Sequence, residues 1–418
     1  MNFFYPFVNF FQPGVFWPAL ADLRPMLLLS AMAMALGLAA RRATPRGEVF
    51  RHPIFVWLAV FILLQPITVL HSGLGYAVQE FLYWLNYLLF VAVSLLLMRN
   101  EAAVASYVRG MMAGALFIIG FGILAVINEW PQAVGGRAGA YGMYENHNDY
   151  SFLIIQVVPF LYMARKTSQS VIMRFLLALG LLTCAVGTLL SLSRGGMLAL
   201  VLEAALIILI GMDGRKRLLW LPILAIVGAA AIGLQFAKRA ENQGDNYTAA
   251  DAENSRLELW TAASNMVLDK PLLGIGSRQF GEYSRDYGEI SHDNRGKNTH
   301  NTYLEVLTGN GIIGFACFIT LIAKLIGGLR GAAALAPTGS PFLEAMRRAT
   351  LISLLSILFR ALLDAKPHDW SFYTLAAIGL ATILLQRTAA GQAAASTAEP
   401  AAAARRGISA TRPLNAAP

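Results

Sequence analysis

Charged side chains are scarce in this 418-residue chain, at 14% against 56% hydrophobic. Soluble domains carry about a quarter charged residues, so the scarcity excludes an ordinary soluble protein and leaves an integral membrane protein. Cysteine is nearly missing: Cys184 and Cys317 both fall in apolar runs, too few for a disulfide framework, and are read as packing residues. No ten-residue alternating pattern recurs, which disfavours a membrane β-barrel. The first residues, "MNFFYPFVNFFQPGVFWPAL", lack a basic n-region and a small-residue cleavage site, so no cleaved signal peptide is expected. Absent too are a Walker phosphate loop, a Gly-x-Ser-x-Gly elbow, a zinc-binding His-Glu pattern and any Asp-x-Asp pair. Nucleotide hydrolysis, serine-nucleophile chemistry and metal-dependent sugar-nucleotide transfer are therefore disfavoured.

What is present is a succession of apolar runs long enough to cross about 30 Å of hydrocarbon as helices. They predict an all-α membrane protein with spans near 3–20, 24–40, 53–70, 78–98, 107–127, 149–164, 173–192, 195–211, 217–236, 301–326, 347–364 and 370–387. The first is short and broken by proline, so eleven spans stands beside twelve. One set of connections holds 20 of the 33 basic residues but 5 of the 24 acidic ones. The positive-inside rule assigns that set to the cytoplasm, and the net charge of +9 reflects topology; no nucleic-acid footprint is seen in it. Residues 1–236 and 301–388 then form the two parts of a transmembrane bundle. Between them, 237–300 forms one large periplasmic loop region with helical content, and 389–418 a disordered cytoplasmic tail.

The informative segments fall on the far side. Arg194, in "LLSLSRGGML", ends an apolar run where an arginine is ordinarily a snorkelling anchor. It lies on the face opposite the one positive-inside anchoring favours, and its glycine neighbours would let an anionic group approach. Arg256 lies four residues before Trp260, so both share one face of a helix; a stacked surface pair is the plain alternative. Arg137 lies in the Gly- and aromatic-rich loop "GGRAGAYGMYENHND". His147 and Asp149 nearby have poor ligand spacing for a metal, and Asn146, His147 and Asn148 are read as capping the next helix. His300 opens "THNTYLEVLTGNG", where Thr302 and Glu305 have capping-box spacing. The helix macrodipole there opposes a positive imidazolium. Free imidazole titrates near pH 6.5, suited to a general base. A lone interfacial histidine bonded to a carbonyl is the alternative, weakened by three arginines on the same predicted face.

"TLLSLSRGG", "SRLELWTAASNMVLDKPLLGIGSRQF" and "THNTYLEVLTGNGIIG", in that order, resemble the marks of the O-antigen ligase and polymerase superfamily. "RAGAYGMYENHNDYSF" is similar to the family segment before a middle span, so the resemblance runs from about 137 to 316. His300-Asn301, nine residues, then Gly311 resembles the ligase pattern, while the Arg-Gly pair and Pro-Leu-x-Gly-x-Gly turn are shared with polymerases. The resemblance implies that Arg194 and Arg256, with Arg137, hold the diphosphate of an undecaprenyl-diphosphate-linked O-polysaccharide. It implies that His300 is the catalytic base and Asn301 its substrate-binding neighbour. The implied acceptor is lipid A–core, at the periplasmic face of a Gram-negative inner membrane.

The chemistry is consistent with inverting transfer that needs neither metal nor cofactor, since guanidinium forks can stabilise a departing diphosphate. An O-antigen polymerase would use the same donor. A flippase or transporter would instead place its ionisable residues mid-span at broken helices.

Overall fold

Lipid offers the backbone no hydrogen-bond partners, so each apolar run must satisfy its own amides and carbonyls. In the computed structural model they do so as helices; residues 1–16, 25–41, 45–212, 214, 216–243, 249–338 and 340–409 are described, and no strand occurs among them. Parts of the first two expected spans (17–20 and 24), residues 244–248 of the long polar stretch, 410–418 of the tail, and Arg42, Asp213 and Arg215 lie outside the described residues.

The principal helices are α1 (Phe4–Phe11), α2 (Pro25–Ala39), α3 (Pro53–Thr68), α4 (Leu74–Leu97), α5 (Glu101–Ile127), α6 (His147–Thr167) and α7 (Val171–Ser191). They continue with α8 (Arg194–Leu206), α9 (Lys216–Gln243), α10 (Ala249–Asp269), α11 (Thr302–Gly331), α12 (Pro341–Arg360) and α13 (Trp370–Ser409). Among the described residues, seven helices are long and apolar enough to cross a membrane, and the protein is a helical membrane protein. The first expected run is divided between α1 and a short helix at Pro13–Phe16. α13 continues past the apolar stretch through an Ala-rich sequence of high helix propensity.

Hydropathy and position run in opposite directions here. α6 and α12 are absent from the seven, yet they pack most extensively against each other at the centre of the bundle. Most of α6 is buried, from Tyr150 to Leu161. α7 lies outside, presenting Val171, Ile172, Phe175 and Leu182 outward. Polar side chains are affordable only where protein supplies partners, so the less apolar helices occupy the interior.

α11 positions the site, and it is interrupted. At Gly311 the backbone turns to φ 59, ψ −168 within the helix. The segment following α10 fills the gap: Ile312 and Ile313 amides donate to the carbonyls of Pro271 (2.8 Å) and Leu272 (3.3 Å). In return Ile275 and Gly276 donate to the carbonyls of Thr308 (2.9 Å) and Gly309 (3.1 Å). A Cβ on Gly311 would collide with the Leu272 carbonyl group and face an unfavourable φ. Gly311→Ala is therefore expected to destabilise the protein by about 2–4 kcal/mol. A lower thermal midpoint in detergent and reduced membrane levels would show it; an unchanged midpoint would mean that the segment moves aside.

Candidate functional site

α10 carries two side chains of one helical face to two different connections. Trp260 Nε1 donates to the carbonyl of Thr299 (2.9 Å), and Arg256 Nη2 donates to that of Leu363 (3.4 Å). The four-residue spacing thus spans from the start of α11 to the strap between α12 and α13. Thr302 joins the same two places: its amide donates to the Ala361 carbonyl (2.8 Å). Its hydroxyl donates to the Asp364 carbonyl (2.7 Å) and accepts from the Lys366 amide (2.9 Å).

That engagement corrects the capping expectation. Thr302 is the first helical residue, and Asn301 caps α11, its side-chain oxygen accepting from the amides of Tyr303 and Leu304. Glu305 turns back instead to the amide of Thr299 (3.0 Å). The Thr302 hydroxyl is occupied by the strap, which leaves the cap to the residue before it.

His300 lies just ahead of the cap in a left-handed conformation, φ 51, with its amide donating to Asn298 Oδ1 (3.1 Å). Such a backbone is uncommon for a side-chain-bearing residue and recurs where geometry serves a site. Its ring is 32% exposed, and Nδ1 stands 3.6 Å from Oδ1 of the buried Asp364. That is ion-pairing reach and longer than a settled hydrogen bond.

Asp364 is fixed from behind. Its Oδ2 meets Arg360 Nη2 at 3.3 Å, and its Oδ1 accepts from the Ala365 amide at 3.0 Å. Arg360 is 1% exposed, its guanidinium 4.9 Å over the Phe152 ring. Burial works to raise the Asp364 carboxyl, but the His300 ring and the Arg360 and Lys366 cations outweigh it, holding the group at about 2. A second pair, Lys366 Nζ to Asp149 Oδ1 at 2.6 Å, ties the strap to the first turn of α6. None of Arg360, Asp364, Lys366 and Asp149 was a sequence candidate for this site.

The remaining candidates approach from the α6–α8 side. Ser193 caps α8, accepting from the Gly196 amide, and its hydroxyl donates to Asn148 Oδ1 (2.8 Å). Asn146 caps α6 as expected, accepting from the Asn148 amide (2.8 Å). Arg194 is the first residue of α8 and half-buried. A Cβ added to the next residue, Gly195, would stand 3.0 Å from Arg360 Nη1, so the Arg-Gly turn lies directly against the buried guanidinium. Arg137 donates to the carbonyls of Ser191 (3.1 Å) and Leu192 (3.3 Å), where the end of α7 leaves acceptors unpaired within the helix. Part of its guanidinium therefore holds the turn that leads into Arg194.

The structure thus places His300, Arg256 and the Arg194–Gly195 turn beside one buried anchor, Arg360–Asp364, with Arg137 holding the turn before Arg194. Among the described residues no three His, Cys, Asp or Glu side chains come together as a metal-holding group. A basic imidazole beside a fixed carboxylate, with guanidinium groups nearby, suits proton removal from a hydroxyl and charge stabilisation on a departing phosphate.

No curated protein matches the chain. Residues 179–319, from within α7 to within α11, match the family model Wzy_C, described as O-antigen ligase. That stretch, about a third of the chain, contains Arg194, Arg256, His300, Asn301 and the Gly311 break, and over it the chain is similar to the O-antigen ligase family.

Proposed function

We propose that the protein is an O-antigen ligase: it moves O-polysaccharide from undecaprenyl diphosphate onto lipid A–core at the periplasmic face of the inner membrane. The superfamily supports a transferase acting on lipid-linked glycans. The observation that supports the finer reading is His300 beside Asp364, with Arg256 and the Arg194–Gly195 turn near the Arg360 anchor.

Asp364 faces Nδ1, which leaves Nε2 for substrate. In this reading Nε2 takes the proton of an acceptor hydroxyl as that oxygen bonds to the anomeric carbon. The anomeric bond to the diphosphate breaks on the opposite side, inverting the centre, and undecaprenyl diphosphate leaves with the bonding electrons. Arg194 and Arg256 stabilise its charge through forked hydrogen bonds. Arg137 contributes to the same group while holding the Ser191–Leu192 turn. Asn301, whose oxygen caps α11, sets the direction from which His300 meets the acceptor.

Purified protein, lipid-linked donor and lipid A–core test the reading by product. Polysaccharide attached to lipid A–core supports a ligase, and longer undecaprenyl-linked chains would identify a polymerase. His300→Ala is expected to lower transfer at least about a hundredfold, the low end of general-base effects, while donor binding persists. Near-normal transfer by a well-expressed variant would remove His300 from this role, and lost donor binding would make it a diphosphate contact.

Arg194→Ala and Arg256→Ala are each expected to raise the donor KM by about tenfold or more, with membrane levels little changed. Disappearance of the variants from the membrane would assign both residues to folding. Transfer should continue in EDTA, since guanidinium groups supply the neutralising charge; full loss restored by a divalent ion would overturn metal independence.

A further inference from the structure

The end of α13 remote from the strap borders a cavity of about 770 Å3. It opens where the short helix Arg46–Arg51, the start of α3 and α13 meet. Arg51, His52 and Arg387 line it together with one carboxyl group, Glu48, and Leu384 forms an apolar wall. Arg387 stands about 25 Å along α13 from Trp370, where the strap ends. That length is close to the hydrocarbon thickness of a bilayer, so the cavity lies at head-group level on the face opposite the strap.

His52 holds a conflict that its protein neighbours leave open. It caps α3, with Nδ1 accepting from the Ile54 amide (3.3 Å). Its other nitrogen, Nε2, lies 3.3 Å from Arg387 Nη1, and a guanidinium offers donors alone. Burial and the Arg387 charge push the ring down to about 4, so it is neutral at physiological pH and carries one N–H. Whichever nitrogen bears that proton, the proton meets another donor. The cap answers an amide that the first turn of α3 cannot pair, which assigns the proton to Nε2, facing Arg387. An acceptor oxygen in the cavity, receiving from both Nε2 and Nη1, removes the clash.

The charge pattern selects the acceptor. With the ring neutral, the two guanidinium groups of Arg51 and Arg387 outweigh the Glu48 carboxylate by one positive charge. A single phosphodiester matches that excess, and its oxygens suit guanidinium forks. The outer surface of α3 indicates what the phosphodiester is attached to. Val56, Val60, Leu63 and Ile67 continue the His52 side of the helix at three- and four-residue spacing. All four face outward, between 42% and 48% exposed. An acyl chain laid along this stripe starts at head-group level beside His52, whereas a free phosphate makes no use of it.

We infer that this cavity binds the phosphodiester head group of an anionic glycerophospholipid from the surrounding leaflet, with an acyl chain along the Val56–Ile67 stripe. The excess of basic residues in the connections at this end assigns that leaflet to the cytoplasmic side. One phosphate oxygen accepts from His52 Nε2 and Arg387, and another from Arg51. The bound lipid clasps the start of α3 to α13, the helix whose other end follows the strap. The site lies a bilayer thickness from His300 and its occupancy is measurable without turnover.

Native mass spectrometry of the purified full chain tests this with dioleoyl phosphatidylglycerol, dioleoyl phosphatidylethanolamine and inorganic phosphate. Phosphatidylglycerol is expected to be retained in preference to phosphatidylethanolamine. Arg387→Gln and Arg51→Gln should each weaken that retention about three- to tenfold, the value of one hydrogen bond at a partly exposed site. His52→Asn keeps a cap for α3 and loses the ring donor, so the same loss is expected. Arg51 is exposed, and its variant carries the test if another fails to fold. Arg109→Gln, an exposed arginine outside the cavity lining, should leave retention unchanged. Undiminished retention in all three cavity variants would overturn the site, and an equal loss in Arg109→Gln would reduce it to general surface charge. Equal retention of phosphatidylethanolamine would overturn the charge match. Displacement of phosphatidylglycerol by inorganic phosphate at equal concentration would overturn the lipid and make the cavity a free-phosphate site.

Discussion

A helix interrupted in the protein interior leaves amides and carbonyls that need partners, and here the interruption at the buried Gly311 is answered by one segment. Pro271 and Leu272 accept from the amides beyond the break, while Ile275 and Gly276 donate to the carbonyls before it. Because this segment begins two residues after α10 ends, it anchors α10 at its C-terminal end. An anchored α10 carries Arg256 and Trp260 to fixed points on the strap and on the residue before His300. The geometry of the candidate base is thus inherited from a backbone repair about three helical turns away.

The charges around the base are arranged in depth. Arg360 is buried among apolar neighbours, and a buried cation is tolerable only with a matched anion. Asp364 supplies it, and the pairing holds one carboxylate oxygen on Arg360 while the other is presented toward His300. The Lys366–Asp149 pair fixes the other end of the strap. Removing either partner of the inner pair would leave an uncompensated charge, so the orientation of the imidazole is coupled to the integrity of the bundle centre. The exposed part of the site is correspondingly small: a ring with a third of its surface open, backed by groups that have little freedom to move.

Most of the helices were legible because long apolar runs are unambiguous. His300, Asn301, Arg194 and Arg256 were legible as well, each through a local pattern: a helix start, an Arg-Gly turn, or four-residue spacing to a tryptophan. The inner pair is not legible in the same way, because Arg360 and Asp364 resemble interface charges at the end of a span. A signal was present in "LFRALLDAKPHDW", where Arg360 and Asp364 have i,i+4 spacing at the end of an otherwise uncharged run. Only tertiary structure shows that the run ends in the protein interior. The Thr302–Glu305 spacing misdirected for a related reason. Local capping logic cannot know that the Thr302 hydroxyl is occupied by a strap more than sixty residues later.

The fixed interval between His300 and Gly311 follows from these constraints. His300 precedes α11 by two residues, Asn301 fixes the first turn, and the helix then runs without interruption to Gly311. At about 1.5 Å per residue the base and the break stand about 15 Å apart along the axis. Inserting one residue between them would rotate one end relative to the other by about 100°. Either the amides of Ile312 and Ile313 would then miss the carbonyls of Pro271 and Leu272, or His300 would turn away from Asp364. Neither loss has a remedy nearby, because lipid supplies no alternative acceptors and the strap is already stitched to Thr302. The spacing of the motif is therefore the helical distance between a repaired backbone break and a carboxylate that cannot move.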